Sequence, residues 1–412
     1  MDLFEKIIKN IPASSKHSLW SHGSFTYPKL EEEVPPYTIF RDIKYLSWST
    51  SDYLGLSNDP EIREEDVANV AKYGLSYPAS TRMLSGNSIY HEQLEQELAV
   101  FVEKGSVFLL NSDYEGLVFL IESLVDIDDV LLYDMESNVA VKEGILLHKG
   151  KCFAFAHNDM EDCKKQLKEA SHIIQKTGGG ILLITEGVFA MSGVQGKLQE
   201  IVALKNEFKF RLLVDDTHGF GVMGRNGHGT PEEQFCVDGV DIYFASMGQA
   251  MAGIGAFVAS TKEVTSFLQY NMRSQLFSKS LPLSIVKGCL KRLDIIKNRP
   301  ELRKKLWEIT RALQGGLKGL GFNLGETNTM ITPVFLKGEL SESIAIGVEL
   351  REVHHIFCSL IVYPVNADKR VELRLIPTVS HSLDDVQYTL KAFLDIALKL
   401  DKGYFQKRKI VV

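Results

Sequence analysis

From about residue 60 the sequence alternates short apolar runs with longer stretches of helical pattern, and no other feature limits the possible folds as much. The runs are Ser106 to Leu110, Val130 to Tyr133, Gly180 to Thr185, Leu212 to Asp216, Asp241 to Ala245 and Ala256 to Ser260. Short apolar runs separated by helices predict a parallel or mixed sheet covered on both faces, the pattern of a doubly wound α/β domain. Between the runs, Leu94, Leu98, Phe101 and Val102 recur at helical spacing and place one apolar stripe on a helix ending near Lys104.

After Leu281 the texture changes. Long charged helical segments, Lys287 to Asn298 and Pro300 to Gly319, precede three strand-like runs, Ile331 to Leu336, Phe357 to Val362 and Val371 to Leu375. A last helix opens at Ser382 and Asp385 like a capping box and carries Leu383, Val386, Leu390 and Phe393 on one side. A chain of 412 residues is long enough for two or three packed units. We therefore expect an arm over residues 1–58, with Pro12, Pro28, Pro35 and Pro36, a large domain over 59–281 and a smaller α+β domain over 282–412.

Charge narrows the partners. With 46 basic and 53 acidic residues the net charge is -7, which disfavours broad binding to nucleic acid or anionic membrane, and the basic tail Lys407, Arg408, Lys409 is too short to reverse it. No run of eighteen apolar residues predicts a membrane span. The five cysteines, Cys152, Cys163, Cys236, Cys289 and Cys358, form no C-x-x-C pair, so free thiols are expected rather than disulfides or a zinc site. MDLFEKIIKN has no continuous apolar core of a secretory signal, and a cytoplasmic protein is the expectation.

Gly219, Gly221 and Gly224 satisfy G-x-G-x-x-G soon after a strand. A dinucleotide fingerprint needs those glycines in the turn from strand into helix, yet Asp215, Asp216, Thr217 and His218 intervene and Arg225 to Pro231 cannot form a first helical turn. The glycines are read as a loop. Gly178 to Gly180 lack the Lys-Ser/Thr of a phosphate loop and are read as a helix-to-strand turn. Two carboxylates and a histidine nevertheless lie at the carboxyl end of a buried strand, where open α/β sheets place ligands. The plain alternative is that Asp215 and Asp216 only cap the following turn.

Several ordered segments carry more information: DYLGL at 52–56, STRMLSGN at 80–87, HEQLEQEL at 91–98, NDMED at 158–162, EGVFAMSG at 186–193, VDDTHGFGVMG at 214–224, ASMGQAMAGIGAF at 245–257, RSQLFSKSLP at 273–282 and LRLIP at 373–377. Together they resemble the α-oxoamine synthases, a family of pyridoxal-phosphate (PLP) enzymes of fold type I that includes the serine palmitoyltransferases, and the resemblance covers nearly the whole chain. It implies a large domain with a mostly parallel sheet covered by helices plus a smaller α+β carboxyl-terminal domain. It also implies condensation of an amino acid with an acyl-CoA. The cofactor is an electron sink only while a carboxylate keeps its pyridine nitrogen protonated, and a lysine carries it as a Schiff base. By this resemblance Asp215 is the pyridine-nitrogen partner, His218 hydrogen-bonds the ring oxygen, Ser246 contacts the phosphate, and Arg374 clamps the substrate carboxylate. Ser112, Asp113 and Tyr114 fall in the turn that holds the phosphate, and Ser278 with Lys279 falls in the segment that reaches a partner subunit's phosphate.

Five positions depart from the family pattern. Gln249 stands where the resemblance places the Schiff-base lysine, and an amide is neither nucleophile nor base. Asn138 replaces the ring-stacking histidine, Ala190 a serine near the ring oxygen, and Ser51 an asparagine near the substrate carboxylate. Asp113 replaces a glycine at the helix start that holds phosphate, where one charge pair 4 Å apart costs roughly 4 kcal/mol at an effective dielectric of 20. Ser112 and Asp113 are also good N-caps. Covalent cofactor attachment is not expected, and non-covalent affinity is expected to fall.

Three readings stay open. A catalytically degenerate homologue would work by pairing, as a homodimer or as a heterodimer with a lysine-bearing relative. A PLP-binding transferase would use Asp215, His218 and Arg374 with another base, His218 and Lys279 being the candidates. A binding protein would use the old pocket for another small ligand.

Overall fold

The computed structural model describes residues 2–10, 27–336, 338, 340–361 and 371–407. Of the sequence features above, Met1, Pro12, Val362, Arg408 and Lys409 lie outside these residues. Along the chain the strands are β1 (Glu32–Val34), β2 (Tyr37–Phe40), β3 (Ile43–Ser47), β4 (Ser106–Leu110), β5 (Val130–Asp134), β6 (Lys151–Phe155), β7 (Ile181–Glu186), β8 (Arg211–Asp215), β9 (Ile242–Ser246), β10 (Ala256–Ser260), β11 (Thr332–Phe335), β12 (Ile356–Phe357), β13 (Ser359–Ile361) and β14 (Glu372–Leu375).

Two compact units form, one from residues 51–305 and one from residues 1–50 with 306–412. The expected boundaries at 58/59 and 281/282 differ from these. Residues 32–47 are a sheet rather than an arm: β1, β2 and β3 pair in antiparallel order and β12 joins β3 in parallel. Helix Leu283–Asn298 belongs with the larger unit because Lys291, Arg292 and Lys297 pair there with Glu61, Asp66 and Glu97.

In the larger unit seven strands run in the order β4-β10-β9-β8-β7-β5-β6. All are parallel except β10, which is antiparallel to both neighbours. The apolar runs end up buried along their full length in β7, β9 and β10, as a sheet covered on both faces requires. Helix Ile89–Phe101 buries Leu94, Leu98 and Phe101. Gly178 is the left-handed cap that turns helix Met160–Thr177 toward β7.

The smaller unit packs helix Leu383–Asp401 and the three-stranded antiparallel sheet β11-β14-β13 around a core that includes Trp48, Leu313, Val334, Leu373 and Phe393. Its Ser382–Asp385 capping box forms as the sequence predicts. All five cysteines are free thiols. No helix among the described residues is long and apolar enough to cross a membrane.

Candidate functional site

Parallel strands deliver their carboxyl ends to one edge of the sheet, and here they deliver acids. Asp134 ends β5, Glu186 ends β7, Asp215 ends β8, and Ser246 ends β9. Glu186 and Asp215 stand opposite each other in register and both are buried. Burial, reinforced by the neighbouring Asp215, pushes the Glu186 carboxyl well above its ordinary range. Asp215 is also raised, by burial first and by Asp113, but the Thr217 and Asn138 hydrogen bonds oppose this.

Those bonds show what surrounds the carboxylate. Asp215 Oδ2 accepts from Asn138 Nδ2 at 2.7 Å, and Oδ1 accepts from Thr217 N at 3.1 Å. Asn138 is the N-cap of helix Val139–Leu147, where its Oδ1 accepts from Val141 N at 3.2 Å. Its backbone N–H is donated to Glu186. The sequence marked Asn138 as a lost stacking surface; the structure shows a side chain fastened at both ends of its amide.

Asp216, the second acid of the pair, is wholly buried and accepts from Thr230 N at 2.7 Å, Thr230 Oγ1 at 2.6 Å and Tyr243 OH at 3.0 Å. Its role is to cap the turn. The trailing glycines make room for it: a Cβ at Gly219 would lie 2.0 Å from Asp216 Oδ1. Gly219 to Gly227 form a loop, as read from the sequence.

His218 Nδ1 lies 2.7 Å from Tyr53 OH, with the two rings edge to face. Tyr53 sits in DYLGL, but no sequence pattern joins it to His218. At the start of helix Tyr114–Leu124, Asp113 is the N-cap and its Oδ1 accepts from Tyr114 N at 2.7 Å. Its Oδ2 accepts from Ser246 Oγ at 2.9 Å, and that oxygen accepts from Gly248 N at 3.0 Å. The neighbouring Ser112 is half-buried, and Asp113 rather than Ser112 occupies the cap position.

Gln249 is half-buried in the turn after β9, where its carbonyl accepts from Ala252 N at 3.1 Å. Ala190 sits in the turn after β7 and donates its backbone N–H to Glu186. Asn111 Nδ2 donates to the Lys279 carbonyl, tying the segment with half-buried Ser278 to the end of β4; Lys279 itself is exposed. Ser51 is half-buried and its carbonyl accepts from Tyr53 N at 2.8 Å. Asp215, Asn138, Ser246, Asp113 and Thr217 thus form one bonded set within the larger unit. Arg374 lies on β14 in the smaller unit.

A carboxylate at this helix start presents the wrong charge to a phosphate. The donor set at the strand ends does not fit a phosphate-bearing cofactor.

The family model for aminotransferase class I and II matches residues 43–393. The chain is 48% identical over 405 residues to a cysteate-C-fatty acyltransferase of Capnocytophaga ochracea, covering 98% of this chain and 96% of that protein. It is 31% identical over 372 residues to an 8-amino-7-oxononanoate synthase of Thermoanaerobacter pseudethanolicus, covering 90% and 92%. Among solved structures, the serine palmitoyltransferase of Sphingomonas wittichii superimposes with a TM-score of 0.89 at 24% identity, over 98% of this chain and all 100% of the other.

Proposed function

The chain belongs to the aminotransferase class I and II family, with α-oxoamine synthases among its relatives, and from that premise we propose that it is a non-catalytic homologue of the PLP-dependent acyl-CoA:amino acid C-acyltransferases that acts as a subunit beside a lysine-bearing relative. Gln249 carries the proposal. The chemistry of PLP requires a lysine amine that holds the cofactor and moves protons at the substrate carbon. The amide of Gln249 offers no lone pair for the first task and no titratable group for the second. Pairing gives the fold a use that survives the loss of that amine: a partner subunit supplies the lysine, and this chain supplies a packed surface and the segment at Ser278 and Lys279.

The experiment is an assay of CoA release with PLP, cysteate and a fatty acyl-CoA, the substrates suggested by the name of the Capnocytophaga relative. The chain alone is expected to release no more CoA than a protein-free blank. Co-expressed with a lysine-bearing relative, it is expected to co-purify and raise that relative's rate several-fold. A homodimer alone, with no rise in the relative's rate, would end the proposal.

One observation favours a second reading. Identity of 48% across 98% of the chain to an acyltransferase is high for a protein released from catalysis. On that reading Asp215 and His218 bind PLP without a lysine, and turnover by the chain alone is the distinguishing result.

A further inference from the structure

Two side chains that depart from the family pattern at the strand ends are bonded to two of the anchors that match it. Ser246 has one hydroxyl hydrogen, and it goes to Asp113 Oδ2 at 2.9 Å. To donate to a phosphate, Ser246 would have to abandon Asp113. Asp215 has two oxygens, and Asn138 Nδ2 takes one at 2.7 Å while Thr217 N takes the other at 3.1 Å. A pyridinium approaching Asp215 would have to compete with an amide whose other end caps a helix at Val141.

Each departure could have been a simple loss. A glycine or alanine at 113 would leave Ser246 to find water, and an alanine at 138 would leave Asp215 Oδ2 without its donor in a buried place, which is costly. Instead each replacement supplies the hydrogen-bonding group that its anchor needs. Asp113 also adds charge, and its carboxylate helps to raise the neighbouring Asp215, whose burial is the larger cause.

We infer that Asp113 and Asn138 are built-in ligands of the site at these strand ends, which occupy the hydrogen-bonding positions of the phosphate and pyridine anchors and make the site select against phosphorylated molecules. The inference rests on the reading of these strand ends as the family's cofactor site. It does not require that the chain be a partner subunit. Asp113 is the specificity residue, because it carries the charge, and Asn138 is the positioning residue, because it acts through Asp215.

The probes are pyridoxamine phosphate and pyridoxamine, which differ only by the phosphate and carry no aldehyde to react with surface lysines. Binding to the full-length chain is measured by calorimetry and by the shift in melting temperature. The wild-type chain is expected to bind pyridoxamine phosphate no more tightly than pyridoxamine. Asp113→Gly, a substitution that a helix N-cap tolerates, is expected to tighten pyridoxamine phosphate up to about a thousandfold, the scale set by removing one charge at close range. It should leave pyridoxamine unchanged. Asp113→Asn keeps a side chain of the same shape and is expected to gain a smaller part of that effect. Wild-type preference for the phosphorylated probe by tenfold or more overturns the inference, as does an unchanged phosphate affinity in both variants. Co-purification with a lysine-bearing relative is scored on the same proteins. Loss of pairing with phosphate selectivity intact would count against the subunit proposal alone.

Discussion

At the level of single residues the retained acids do unequal work. Asp215 faces the amide of Asn138, whereas Asp216 is enclosed by Thr230 and Tyr243 and its carboxyl is pushed up to about 7, mainly by burial. That value gives a pH dependence with a definite sign. Between the ordinary carboxyl range near 4 and pH 7 the folded chain holds a proton on Asp216 that the unfolded chain does not, so unfolding releases a proton and stability falls as pH rises through this window. Integrated over the window the loss is on the order of a few kcal/mol. In urea denaturation at pH 5, 6, 7 and 8, Asp216→Asn should show a flatter decline than the wild type. The amide can still accept from Thr230 N and Tyr243, and Thr230 Oγ1 can turn to accept from it. Equal slopes would mean that Asp216 is ionised throughout. The sequence placed both aspartates at a strand end but could not divide their roles. That division depends on Asn138 and Thr230, which reach them from 77 and 14 residues away.

Among elements, those whose signal is local were legible and those completed by distant partners were not. The runs at Ser106–Leu110 and Ala256–Ser260 match β4 and β10 residue for residue, because strands of a sheet covered on both faces are largely apolar along their length. Strand β6 escaped notice: KCFAF is only partly buried and its Lys151 and Ala154 face solvent. The first fifty residues read as an arm because β3 finds its second neighbour, β12, about 310 residues later. The closing helix was legible because its start signal is a four-residue pattern. Ser382 Oγ accepts from Asp385 N at 3.2 Å, and Asp385 Oδ2 accepts from Ser382 N at 2.8 Å. Ser382→Ala should lower the unfolding free energy by about 1 kcal/mol, and Ser382→Gly by only a few tenths. Asp385→Ala should cost more than either, since Asp385 Oδ1 also accepts from Tyr37 OH at 2.9 Å. Urea midpoints at constant m-value test the order.

At the level of the whole molecule, seven of the large exposed apolar side chains come from two stretches of chain. Leu75, Tyr77, Met83, Leu84 and Ile89 come from one stretch of chain, Tyr270 and Phe277 from another, and all are more than half exposed. Met83 and Tyr270 line the same cavity of about 730 Å³ beside β4, the edge strand of the seven-stranded sheet. Exposed apolar groups beside a sheet edge are what a surface meeting a second chain would present. The subunit reading needs such a surface, and this one adjoins the segment of Ser278 and Lys279, since Phe277 is its neighbour in sequence. Replacing Leu84 and Phe277 together with glutamate should therefore convert the assembled protein to a 46.2 kDa monomer in sedimentation and abolish co-purification of the partner. Both side chains are about four-fifths exposed, so the unfolding free energy of the monomer should change by no more than about 0.5 kcal/mol. An assembly that survives the double substitution would move the interface elsewhere. Loss of assembly together with a collapse in stability would show that the two residues serve the fold of one chain rather than the meeting of two.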